Sequence, residues 1–140
     1  MTKHGLATTL TFAGSIPFVV LALALAIHLA DVNLLKYLLV TYAAIIASFM
    51  AGIHWGAYLF KSAPLNLFAH SNILALLAWL SLFLPAFSAY LLLIFCFGYL
   101  LVIDHRLFRV GIIQLWYWRL RVRITAIVIV ALSFAWLVSA

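Results

Sequence analysis

The chain has 140 residues, of which 70% are hydrophobic and only 7% charged, too few polar groups to cover a soluble core of this size. It therefore reads as a single integral membrane domain, 1–140, with no room for a second. Eight Lys and Arg against two acidic residues give a formal charge of +6, which in so apolar a chain indicates topology and lipid contact; no nucleic-acid-binding module accompanies it.

Met1–Thr9 reads as a short polar tail carrying Lys3. The first span is expected at 10–30, enough to cross a hydrocarbon core about 30 Å thick. It is longer than the ~7–15-residue apolar region of a cleaved signal peptide, so it is expected to stay as a helix. Pro17 lies in its first turns, where it can kink the backbone. Asp31–Asn33 forms a turn, and the second span is expected at 35–60, with Lys36 at its start. Lys61–Asn66 is the next turn, broken by Pro64. The third span, 67–84, ends at Pro85, and the fourth occupies 87–103. Asp104–Arg123 is the one strongly cationic stretch; Gly111 is expected to separate a short interfacial piece from the last span, 114–139.

The cations test this count. Five spans place Lys3, Lys61, Arg106, Arg109, Arg119, Arg121 and Arg123 on one side and Lys36 alone on the other. Positive charge accumulates on the cytoplasmic side of membrane proteins. The expected fold is thus an all-α bundle of five transmembrane helices with the N-terminus cytoplasmic and the C-terminus outside. It suits a bacterial inner membrane or, with the matrix as the inner side, a mitochondrial one.

The second span carries a row of small residues, Thr41, Ala44, Ser48, Gly52 and Gly56, at the spacing that keeps side chains near one helix face. Helices in lipid associate through close packing, so this row is expected to be a seam within the fold or between two copies. His54 projects elsewhere, with Met50 and Tyr58, roughly 10 Å below the cytoplasmic interface at 1.5 Å per residue. Ionisable groups at such depth often mark sites.

Topology puts His54, His70, Asp104 and His105 in the same leaflet, a set able to form a proton relay, a metal site or a headgroup site, with Trp55 and Tyr58 as further candidate ligand contacts. Metal-ligand spacing is absent, and the single Cys96 reads as a small buried hydrophobe. His54 and His105 are the one pair that haem could bridge. Trp116, Tyr117 and Trp118 form an interfacial aromatic belt, and Arg119 and Arg123, one turn apart, are placed to hold a phosphate or carboxylate headgroup. Asp104 is expected to pair with Arg106 or Arg119, fixing the last hairpin. Two carboxylates on opposite faces cannot work as an acid–base pair, and no nucleophile elbow or phosphate loop occurs.

Three stretches carry a resemblance: Tyr42–Leu59, the DHR of Asp104–Arg106, and Trp116–Ala126. Together with IPFV at Ile16–Val19 and LLAWLSLFLP at Leu76–Pro85, they resemble an uncharacterised membrane-protein family of bacterial proteins and mitochondrial transmembrane protein 69. Its S-F-x-x-G-x-x-W-G string matches at Ser48, Phe49, Gly52, Trp55 and Gly56, with His54 outside the matched letters. The resemblance implies a membrane location and this fold, and no activity. Five short Trp-bearing spans are also similar in outline to the tryptophan-rich sensory proteins, which bind tetrapyrroles and sterols.

The residues thus point to a small, non-catalytic binding or assembly protein without metal or cofactor. Its expected partners are the bilayer, anionic headgroups or a lipid-like ligand near the cytoplasmic leaflet, and a second copy or another membrane protein. A tetrapyrrole- or redox-linked protein using His54 and His105 is the alternative, and a passive channel or carrier the third reading.

Overall fold

A computed structural model describes residues 2–140, and in it the apolar runs form helices whose ends are set by local chemistry. Helix α1 spans Lys3–Ala26, α2 Val32–Phe60, α3 Leu67–Leu80 with a 3-10 turn over Ser81–Phe83, α4 Ala86–Arg109 and α5 Leu115–Val138. Side-chain oxygens of Thr2, Asp31 and Asn66 accept from the backbone N–H of Gly5, Leu34 and Ala69, at 3.1, 2.8 and 3.2 Å, and so cap the first three helices.

Gly111 closes α4. At φ +76° it lies in the left-handed region; its N–H donates to the carbonyl of Phe108 (3.0 Å) and that of Ile112 to Leu107 (2.9 Å). Those two bonds make a Schellman ending, which glycine adopts without strain. The expected break at Gly111 is real, but no separate interfacial piece precedes it. Helix α4 runs on from Ile103 to Arg109, which sets Asp104 and His105 inside a helix rather than at its end.

The expected polar tail is likewise helical from Lys3, Met1 lying outside the described residues. Its threonines explain how: Thr8 and Thr11 hydroxyls donate to the carbonyls of His4 and Ala7, at 2.8 and 2.7 Å, hiding their polarity within the helix. Helix α1 continues through Pro17.

Helices α1, α2, α4 and α5 are each long and apolar enough to cross a membrane. Helix α3 with its 3-10 turn is shorter, roughly 27 Å at 1.5 and 2.0 Å per residue. It nevertheless runs the length of the bundle. Phe68 at its start packs on Trp55 and Tyr58 near the end of α2, and Leu82 beyond it shares a recess with Asn33 and Lys36 at the start of α2. Outward-facing Leu29, Phe60, Val130 and Leu137 are among the many exposed large apolar side chains that suit lipid as solvent. The protein is a multi-pass membrane protein of all-α architecture.

The helices alternate in direction, so α1 and α5 run parallel. His4 near the start of α1 stacks on Trp116 near the start of α5, their ring centroids 4.2 Å apart. Lys61, just past α2, donates to the Ile112 carbonyl just past α4 (3.1 Å). Seven of the eight cations consequently belong to one end of the bundle, and Lys36 to the other.

The packing face of α2 is not the predicted row. Ala43, Ala47, Ala51 and His54 are buried, whereas Ser48 and Gly56 are partly exposed and Gly52 is open, and a Cβ on either glycine would meet nothing within 4 Å beyond its chain neighbours and the backbone of its own helix. Thr41 is half-buried, and only Ala44 of the row is fully buried. Steps of four residues advance the face by about 40° each, so a strict i, i+4 row drifts off the interface. The 4-4-3 spacing of Ala43, Ala47, Ala51 and His54 removes that drift.

Candidate functional site

Among the described residues, seven polar or charged ones are buried: Ser15, His54, Ser71, Ser81, Asp104, Arg121 and Thr125. The three serines donate to carbonyls three residues back, at 2.7, 3.1 and 2.6 Å, and need no further account. The remaining four come from α2, α4 and α5; His54, Asp104 and Arg121 lie about five or six residues from the cationic end of their helices, and Thr125 one turn deeper.

Asp104 is the centre of this group. Arg121 Nε donates to its Oδ2 and His54 Nε2 to its Oδ1, both at 2.7 Å, with the three residues 1, 3 and 2% exposed respectively. Guanidinium stays charged in proteins, so Asp104 supplies the opposite charge and can only accept. That fixes the His54 proton on Nε2. Arg121 Nη1 also donates to Met50 Sδ, one helical turn before His54. Three helices are thus joined through one carboxylate. His54 Nδ1 remains buried with no partner among the described residues.

The sequence points to His54 and Asp104, and the structure brings them together. It does not pair Asp104 with Arg106 or Arg119, both of which are exposed. The partner is Arg121, absent from the expected site. Helical geometry holds the missed signal: Arg119 and Arg123 lie about 40° apart around α5, while Arg121 lies about 200° from Arg119. Arg121 therefore shares the apolar face of Ile124, Thr125 and Val128.

His105 follows Asp104 by one residue and so turns about 100° away from it. It is exposed, against Trp118 at 5.1 Å between ring centroids. His54 and His105 accordingly do not face each other. His70 stays apart too, its Nδ1 hydrogen-bonded to the Tyr99 hydroxyl at 2.8 Å. Trp55 and Tyr58 pack on Phe68, with centroids 4.8 and 4.6 Å away. Among the described residues no three His, Cys, Asp or Glu side chains converge as metal ligands would.

A second polar region lies at the surface of the same end. Arg119, Arg123 and Trp116 of α5 line a recess of about 330 Å³ with His4 and Thr8 of α1. Trp116 donates its Nε1–H to Gln114 Oε1 (2.8 Å), so its ring is held beside His4. Neither Arg119 nor Arg123 has a carboxylate or hydrogen-bond partner among the described residues. Deeper along the α1–α5 contact is an apolar groove of about 430 Å³ that includes Val19, Leu23, Ile127, Val130 and Phe134. Trp116, Arg123, Ile127, Val130 and Phe134 recur at helical spacing, so recess and groove share one face of α5.

The family described as "Protein of unknown function (DUF3429)" matches the chain over residues 4–137, in keeping with the resemblance carried by Ser48–Gly56. No curated protein and no solved structure matches it.

Proposed function

The chain belongs to that family of unknown function, matched across residues 4–137, and we propose that it is a non-catalytic membrane protein that holds an anionic lipid at its cationic end. One observation carries this reading: Arg119 and Arg123, with no counter-charge of their own among the described residues, line a surface recess with Trp116, and Arg123 shares the face of α5 that carries a separate apolar groove farther along. A phosphate or carboxylate headgroup accepts from both guanidinium groups, with Trp116 beside it, and an acyl chain follows the face of Ile127, Val130 and Phe134. The buried His54–Asp104–Arg121 bridge holds α2, α4 and α5 together behind the site, so that α5 presents its two free arginines outward.

The same end is the one we assign to the cytoplasm or matrix, since seven of the eight cations belong to it. A reporter fused after Ala140 is then found outside; a cytoplasmic reporter contradicts the orientation.

The lipid site is tested by lipid-resolved mass spectrometry after reconstitution in equimolar phosphatidylglycerol and phosphatidylcholine. Wild type is expected to retain the anionic lipid preferentially. The preference should fall about tenfold or more in Arg119→Gln/Arg123→Gln, at about 1 kcal/mol per arginine near an anionic surface. Equal retention by wild type and the double variant overturns the assignment.

A further inference from the structure

A different cavity, of about 350 Å³, lies between α1, α2 and α5 with Phe97 of α4 at its base. Its size is within the roughly 300–1,000 Å³ of small-molecule pockets. Leu10 and Phe49 line it and are also exposed on the outer surface, so it opens sideways, toward lipid.

Two donors interrupt its apolar wall. Thr125 is 1% exposed, and its hydroxyl has no hydrogen-bond partner. A helical threonine in apolar surroundings ordinarily donates to the carbonyl four residues back, as Thr8 and Thr11 do here. Thr125 does not. One turn away, Arg121 uses Nε on Asp104 and Nη1 on Met50, and its Nη2 finds no acceptor among the described residues. Both residues line this cavity.

Charge narrows the occupant. Asp104 already offsets Arg121, so a ligand bearing a full charge of its own would enter uncompensated in an apolar space. A neutral acceptor oxygen takes up both donors without that cost. We propose that the cavity binds a neutral, largely apolar molecule with a carbonyl oxygen, of the ester, ketone or quinone type. Its oxygen accepts from Thr125 Oγ1 and Arg121 Nη2. The molecule enters from the bilayer between Leu10 and Phe49.

Benzophenone tests this directly, because it is a neutral ketone that also labels nearby C–H bonds on irradiation. With the full-length protein in lipid nanodiscs, labelling is expected to saturate and to map to peptides containing Met50 and Leu10. Methyl benzoate should compete better than benzoate at neutral pH. Thr125→Val, which removes the hydroxyl and keeps the shape, is expected to weaken labelling about fivefold, and Thr125→Ser to restore it. Gly14→Leu, which enlarges a residue lining the cavity on α1 with its new Cβ 4.0 Å from the Tyr42 hydroxyl, should weaken labelling while the protein still unfolds cooperatively. Unsaturable labelling spread over the lipid-facing surface overturns the proposal, as does wild-type labelling of Thr125→Val. Stronger competition by benzoate than by its ester would also overturn it, by showing an anion site.

Discussion

Arg121 donates to Asp104 across 2.7 Å between two helices adjacent in the chain, both side chains almost wholly buried. Removing one member of such a pair strands the other charge, which typically costs about 3–5 kcal/mol. Asp104→Asn and Arg121→Leu are each expected to lose that order of stability in detergent unfolding. Asp104→Leu/Arg121→Leu, with no charge left to strand, should lose less than either single variant. Additive losses would show that the two side chains act independently.

His54 contributes a hydrogen bond to this bridge. His54→Ala leaves Asp104 Oδ1 without its donor and should cost about 1–3 kcal/mol. His54→Gln places an amide N–H near the position of Nε2 and should recover roughly 1 kcal/mol of it. Equal stability of the two variants would place the effect of His54 in packing alone.

Gly111 turns the chain between the two members of the pair at φ +76°. An L side chain in that conformation costs about 1–2 kcal/mol, and Asn tolerates it best. Gly111→Ala should therefore unfold more readily than Gly111→Asn, with wild type the most stable of the three. The reverse order would mean that the Schellman ending does not set the hairpin.

Gly52 is exposed and has open space where a Cβ would go. Gly52→Ala should raise stability by about 0.5–1 kcal/mol, the ordinary gain in a helix interior. A loss of stability, together with dissociation in analytical ultracentrifugation, would identify the Ser48–Gly56 row as a seam between two copies.

Composition and charge make the helical membrane class legible, because apolar runs and cation placement act locally and independently of packing. The face of each helix is harder to read. Small residues occupy two rows of α2, and only the rotation accumulated along a long helix decides that Ala43, Ala47 and Ala51 face inward while Gly52 does not. Arg121 is hidden for a related reason: the alternation Arg119, Arg121, Arg123 looks like one cationic patch until it is wound on α5. The depth of Asp104 depends on α4 continuing past Ile103, since DHR placed at a helix end would face water.

The Schellman turn has a bearing on how the protein enters its membrane. A lone aspartate or arginine at the centre of an inserting helix disfavours partition by about 2.5–3.5 kcal/mol on the biological scale, less toward the interface. Presented singly to the insertion machinery, α4 and α5 would each carry one such handicap. Because the turn at Gly111 folds them back with Asp104 against Arg121, the two can leave the translocon as a neutral hairpin, a single cargo.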